Sequence, residues 1–351
     1  MKRTGTLLAG LLCVLSAFEV SQACAPIGRP GEEIRISDES AIIVWNAPAR
    51  VQHFIRRASI NAKSADIGFL VPTPTVPELA EANNAAFGVV EKLSEPDNYE
   101  KYMRTRIVPG PASAPRVTVV ATAKVGGYDA AVLDATDATA LDAWLKANGY
   151  ASNPALLEWY KPYVEKRWMI TAFKLANDSP QSSSIDAKAV RMSFRTEQPI
   201  YPYREPESAG DREGRSLNVY FLGDARVEAK AGDARWEARS WSKTLTPGQS
   251  KELREVLKLA EAQTGQMKRL TVFLDYSKSR AGKGDLTFEP ATNQADLPHP
   301  EQPEIDKILK IEDARSAEQL LWGSLLLTLL GLAYYIHWRR KSRKKPAGGL
   351  I

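Results

Sequence analysis

His53, Cys24 and the short polar run of Tyr201, Tyr203, Arg204 and Glu205 are the residues of this chain whose types suit chemistry or recognition. Of three histidines only His53 falls inside a foldable body, because His299 lies in a proline-rich stretch and His337 beside an apolar run. Any Ser-His-Asp or Cys-His site must therefore use His53. Cys13 sits in the leader, so Cys24 is the sole remaining thiol; no intramolecular disulfide can form, and a zinc site, which draws on several His or Cys ligands, is not expected. His53 alternates with Val51 and Ile55, the pattern of a half-buried strand residue. Asp134, Asp137 and Asp142 bracket a helix N-terminus, where capping and the helix dipole account for them. Gly126-Gly127 separates two strands and does not open a helix, so it is a turn and not a phosphate loop. No catalytic residue, metal or cofactor is expected.

The segment 199–206, PIYPYREP, is the candidate binding surface. Three prolines stiffen it, which lowers the ordering cost of an interface, and Tyr201, Tyr203, Arg204 and Glu205 are side chains that interfaces use. The competing account is an irregular strand end whose tyrosines seal the core.

The elements that must position these residues are short and β-rich. Residues 41–45 and 51–60 form an antiparallel hairpin across 46–50, and 68–71 is a third strand. Thr75 and Pro77 then open a helix with an apolar stripe of Leu79, Ala82, Ala86, Val89, Val90 and Leu93. Residues 117–125 and 128–133 are strands, Asp137 caps a helix over 138–148 that ends at Gly149, and Asn153-Pro154 starts another. Strands follow at 168–175, 190–196, 217–230, 234–242 and 270–276, with one helix begun by Thr246-Pro247. The class is α+β, a mostly antiparallel sheet with short packed helices.

The ends of the chain carry an address. Lys2 and Arg3 precede an apolar stretch, and Ser21-Gln22-Ala23 places signal cleavage between Ala23 and Cys24, with residues before the cysteine that depart from a lipobox. Near the other end, 17 residues from Leu320 to Ile336 hold no charge and run into Arg339, Arg340, Lys341, Arg343, Lys344 and Lys345. That is a transmembrane helix with its C-terminus in the cytoplasm, held there by cations that also meet anionic lipid. The expected layout is a signal peptide over 1–23, an exported body over 24–288, a proline-rich linker and juxtamembrane segment over 289–319, a single span over 320–338 and a basic tail over 339–351. Topology changes the meaning of charge. The targeting segments hold eight of the 47 basic residues and Glu19 is one of the 42 acidic ones, which leaves the remainder with 39 against 41. No basic surplus remains for phosphates, so nucleic acid is not an expected partner.

Five stretches in order, SAIIVW, GFLVPTPTVPEL, VGGYDAAVLDATDATALDAWLKANGY, WYKPYVEKRWMITAFKL and MSFRTEQPIYP, resemble the bacterial exported proteins grouped as domain of unknown function 2330, over about 24–206. The resemblance implies an exported or membrane-anchored bacterial domain and brings no activity, cofactor or catalytic residue. Two function classes stand: a non-enzymatic periplasmic module on the inner membrane that binds an envelope partner, and a carboxylate-dependent, glycosidase-like hydrolase. Two acids about 5 to 10 Å apart over an aromatic cleft separate the second from the first.

Overall fold

The structure, a computed structural model, describes residues 26–27, 35–61, 68–97, 99, 124–125, 127–150, 152–175, 185–186, 189–205, 215–280 and 283–307. The chain divides into two compact units, Met1–Ser94 with Arg116–Leu297, and Glu95–Pro115 with Pro298–Ile351. In the second, residues 302–307 are helical, and Gln302 exchanges hydrogen bonds with the backbone of Asp97, accepting from its N–H at 2.7 Å and donating to its carbonyl at 3.2 Å.

The first unit is α+β and built on an eight-stranded sheet. Its path runs Arg239–Thr244 (β15), Arg269–Asp275 (β16), Ser216–Gly223 (β12), Arg35–Asn46 (β2), Val51–Asn61 (β3), Val190–Arg195 (β10) and Glu78–Glu81 (β5), with Ile185–Asp186 (β9) paired to β3. A five-stranded sheet joins Pro26–Ile27 (β1), Gly68–Thr73 (β4), Met169–Leu175 (β8), Tyr128–Leu133 (β7) and Lys124–Val125 (β6). A four-stranded sheet joins Ile200–Tyr201 (β11), Leu286–Pro290 (β17), Val227–Ala231 (β13) and Ala234–Arg235 (β14). Among the described strands every pair is antiparallel except β2 with β12.

Strand periodicity sorts the large sheet into two buried faces. Ala41, Ile43, Phe54, Val219, Phe221 and Phe273 point inward, where they meet Phe69, Val71 and Phe173 of the five-stranded sheet and Val227, Leu286 and Phe288 of the four-stranded one. Ile42, Val44, Ile55, Tyr220, Leu222 and Val272 point the other way, toward Ala85–Ser94 (α1) and Pro247–Leu257 (α4). Ala138–Ala147 (α2) and Pro154–Glu165 (α3) cover the far face of the five-stranded sheet over Leu70, Ile170 and Ala172. Being covered on both faces, β2 is a continuous apolar run at Ala41–Val44 and not an alternation.

Local signals place the helix ends. The Asp137 carboxylate accepts from the Ala140 N–H at 2.8 Å, Tyr150 N–H returns to the Leu145 carbonyl, and Gly149 takes φ +75°. Thr246 and Gln249 close a capping box at α4.

Two expectations are corrected. The helix expected from Thr75 and Pro77 begins only at Ala85, because Glu78–Glu81 is an edge strand on β10 and the Asn83 carboxamide accepts from the Ala85 N–H at 3.0 Å, a capping geometry that stops extension toward the N-terminus. The stretch after 288 is not a free linker: β17 reaches Pro290, Ala291 N–H donates to Arg226 O, and Leu297 bridges to Ser242 of β15. Among the described residues no helix is long and apolar enough to cross a membrane. The signal segment 1–23, the strand expected over 117–123 and the span over 320–338 lie outside the described residues.

One contact in this fold depends on the absence of side chains. A Cβ on Gly284 would stand 2.6 Å from both Cα and N of Gly232, whose φ is +60°, so the backbones of these loops touch. Gly284→Ala is expected to lower stability by about 1–3 kcal/mol, read as an earlier midpoint in urea unfolding at unchanged slope.

Candidate functional site

Ionisable side chains collect on the inner face of the large sheet, at one end of its strands. Glu39 of β2 stands opposite Leu217 of β12, which stands opposite Asp275 of β16, so the two acids share one rung of the sheet. Arg56 of β3 donates from Nε to Glu39 Oε1 at 2.7 Å, and its guanidinium lies 4.7 Å from the Phe69 ring centroid. Arg280, on the loop after β16, lies between the acids, 3.6 Å from Glu39 Oε2 and 3.4 Å from Asp275 Oδ2, over the Tyr203 ring. Glu205 takes both terminal nitrogens of Arg215, at 2.8 and 3.3 Å, and the backbone N–H of Arg280 at 3.3 Å. Three carboxylates thus meet three guanidiniums, and none of the six side chains is more than 7% exposed.

The candidate binding residues belong to this assembly, and their placement is a correction. Tyr201, Tyr203 and Glu205 are buried and form no contact surface; of the four, only Arg204 is partly exposed. Gln52 binds Ile200 like a strand partner, donating to its carbonyl and accepting from its N–H, both at 2.8 Å. That pulls Tyr201 edge-on against Phe54. Tyr203 donates to Asp275 Oδ2 at 2.9 Å and packs on Trp236. After Tyr203 the Arg204 backbone is held at both ends: its carbonyl accepts from Trp159 Nε1 at 2.8 Å, and its N–H donates to Asp285 Oδ1 at 3.1 Å, an atom that also accepts from the Tyr163 hydroxyl at 2.8 Å. The segment therefore ties α3 to the sheets. It is the core-sealing strand end.

Electrostatics follow from burial and pairing. Burial pushes the Glu39 carboxyl upward, but Arg56, Arg280 and the Tyr201 hydroxyl outweigh it and hold it below the usual carboxylate range. Burial likewise opposes the charge on Arg280, and the surrounding tyrosines and acids reverse that and raise its pKa. Asp285 behaves differently: burial raises it in spite of the Arg204, Tyr163 and Lys166 contributions.

These directions decide the chemistry. A hydrolytic acid/base pair needs one carboxyl that keeps its proton near neutral pH and reaches substrate. Glu39 and Asp275 instead flank a guanidinium, Glu39 is held ionised, and all three acids are buried. The carboxylate pair over an open aromatic cleft that the alternative, hydrolase reading requires is not what this group provides. Among the described residues no cluster of His, Cys, Asp or Glu is arranged to hold a metal ion.

His53 lies on the opposite face, buried, with Nδ1 2.8 Å from Ser193 Oγ and Nε2 3.1 Å from the Gln263 carbonyl. Asp137 is a helix cap, and Asp142 accepts from Lys146 and Ser152, bonds that draw its carboxyl down.

A family model described as an uncharacterized protein conserved in bacteria, DUF2330, matches residues 20–288. The chain belongs to that bacterial family. The DUF2330 match runs well beyond Pro206, through β12, β16 and Arg280, so it takes in every member of the ion network. No curated protein matches the chain. The crystal structure of baculovirus P35 is 8% identical over 74% of this chain and 98% of its own, with a TM-score of 0.39, a likeness too slight to bear on fold or function.

Two outcomes test the network. Arg280→Met leaves buried acids without their cation and is expected to cost roughly 3–5 kcal/mol, read by urea unfolding. For Glu39 the folded pKa lies below the unfolded one, so its stabilisation is complete above the unfolded value of 4.5 and is lost as pH falls through the folded value. Glu39→Gln should therefore flatten the acid side of the stability curve; a curve as steep as that of the parent protein would contradict this.

Proposed function

We propose that this DUF2330 protein is a single-pass protein of the bacterial inner membrane whose periplasmic body works by binding an envelope protein and not by catalysis. Support for the membrane part comes from the uncharged run Leu320 to Ile336 followed by six cations, together with the leader that ends at Ala23. The cations of the tail then rest on anionic lipid.

The observation that carries the binding part is the tip at residues 74–76. Val76 is 68% exposed, the most exposed of the large hydrophobic side chains described. A lone exposed valine is ordinary, but this one sits on a fixed backbone. Pro72 and Pro77 are buried on either side, Thr73 Oγ1 donates to the Thr75 carbonyl at 3.0 Å, and Thr75 Oγ1 donates to the Arg195 carbonyl at 2.8 Å. A tip ordered before contact loses little entropy on binding. An exported partner with a small apolar socket fits it.

Protease added to spheroplasts should digest the body and leave a short C-terminal fragment protected; full protection of the body would overturn the topology. A photo-crosslinking residue at position 76 should capture a discrete envelope protein; an excess of the purified parent protein should compete that capture away, and an excess of Val76→Asp, with its unfolding midpoint unchanged, should not. Equal crosslinking from position 76 and from an exposed control such as Lys251 would remove the tip from the interface.

A further inference from the structure

We propose that His53 is the pH-sensing element of a latch that holds residues 260–265 on the outer face of the large sheet at neutral pH and releases them in acid. The segment contains a four-residue helix, Glu261–Thr264 (α5), whose N-cap, Ala260, makes no side-chain hydrogen bond. Within it the Ala260 and Glu261 carbonyls accept from Thr264 and Gly265, and so short a helix leaves those of Ala262 and Gln263 to outside donors. Two neighbouring strands supply the donors. Asn46 of β2 donates from Nδ2 to the carbonyls of Ala262, at 3.2 Å, and Gln263, at 2.9 Å, and His53 of β3 donates from Nε2 to that same Gln263 carbonyl at 3.1 Å. Gly265, at φ +61°, comes so close that a Cβ there would stand 3.0 Å from Asn46 Oδ1.

The carbonyl fixes the imidazole tautomer. It only accepts, so Nε2 carries the hydrogen, and Nδ1 accepts the proton of the Ser193 hydroxyl at 2.8 Å. A second proton on the ring makes Nδ1 a donor. Ser193 must then turn its own hydrogen away, and a full positive charge arises on a side chain that is 3% exposed; the Nε2 hydrogen bond to Gln263 persists on the charged ring, so what drives opening is hydration of the buried cation, which lifting 260–265 off the ring restores. Arg191 and Arg195 on β10 are cations on the same strand as Ser193, and Arg191 is anchored to the carbonyls of Leu257 and Lys258 at the end of α4. Glu78 on β5 opposes them from the position paired with Ser193, and Glu261 is the acid on α5 itself. Burial lowers the His53 pKa, the Gln263 carbonyl and Glu78 raise it, and Arg191 lowers it, with a net result below the usual value. Since the folded pKa lies under the unfolded one, the buried neutral ring contributes fully to stability above about 6.5 and that contribution is lost as pH falls below it.

Release reshapes a surface. An open cleft of about 290 Å³ between α4 and α5 is lined in part by Arg254, Lys258, Ala260 and Glu261, and two of these belong to the latched segment. The use of such a switch by a body facing the cell exterior rests on the proposed topology; the latch itself does not.

Hydrogen exchange on the purified full-length protein in detergent, corrected for the intrinsic effect of pH, reads the latch without reference to topology. From about pH 7.5 to pH 5, exchange in residues 260–265 is expected to quicken on the order of tenfold, while 41–45 and 217–222 stay protected. His53→Gln keeps a donor for Gln263 and cannot titrate, so its exchange should not respond to pH. Asn46→Ala should loosen 260–265 at both pH values and retain the step. A pH-independent parent protein, or an equal step in His53→Gln, would overturn the proposal. Should His53→Gln fail to fold, Ser193→Ala removes the group that accepts from the imidazolium and must move the midpoint to lower pH; an unmoved midpoint overturns it equally.

Discussion

Arg280 is the residue on which the inner face of the large sheet depends. Its guanidinium is 2% exposed, and it faces Glu39 from the first long strand, Asp275 from the strand before it and the ring of Tyr203 from the connecting segment. A buried guanidinium is tolerated only when acids surround it, and buried acids only when cations do. Each of the six charged residues is therefore a condition for the others. Apolar residues would fill the same volume with less penalty; ions add direction, since they are satisfied only when β2, β16 and the 201–205 segment arrive in one arrangement.

The same constraint explains why the segment 199–206 has the composition of an interface and the position of a core strand end. Tyrosines, prolines and an Arg-Glu pair in eight residues carry the composition of an interface, and nothing nearby in the chain argues otherwise. What buries them is distant: Gln52 on Ile200, Trp159 and Asp285 on Arg204, Arg215 on Glu205. Arg280 shows the reverse. Its surroundings, SKSRAGKG, have the polar and glycine-rich character of a solvated loop, and only the acids brought by other strands make its position a core position.

Elements with local causes were legible. Asp137 and Gly149 delimit α2, Thr246 and Gln249 open α4, and the alternation of Val190, Met192 and Phe194 gives the inward face of β10. The alternation of His53 with Val51 and Ile55 gave its face as well, although its partners, Ser193 and the Gln263 carbonyl, lie far along the chain. The apolar stripe proposed for 79–93 failed at its start for a related reason. Leu79 belongs to an edge strand, and an edge is defined by its neighbour β10, which comes a hundred residues later.

The parallel pairing of β2 with β12 sets an order of assembly. Along the chain β3 comes directly after β2, so that hairpin closes over a short loop, but the strand that must lie along the other side of β2 follows only after every strand of the five-stranded sheet. Until then the middle of the future sheet is an edge, apolar on both faces, with open backbone groups of the kind that recruit stray strands. Closing it costs the entropy of a long loop and cannot be hurried by local propensity. The folding chain thus passes through an interval in which a strand destined for the core is an open edge, and a holding chaperone has the most to protect in that interval.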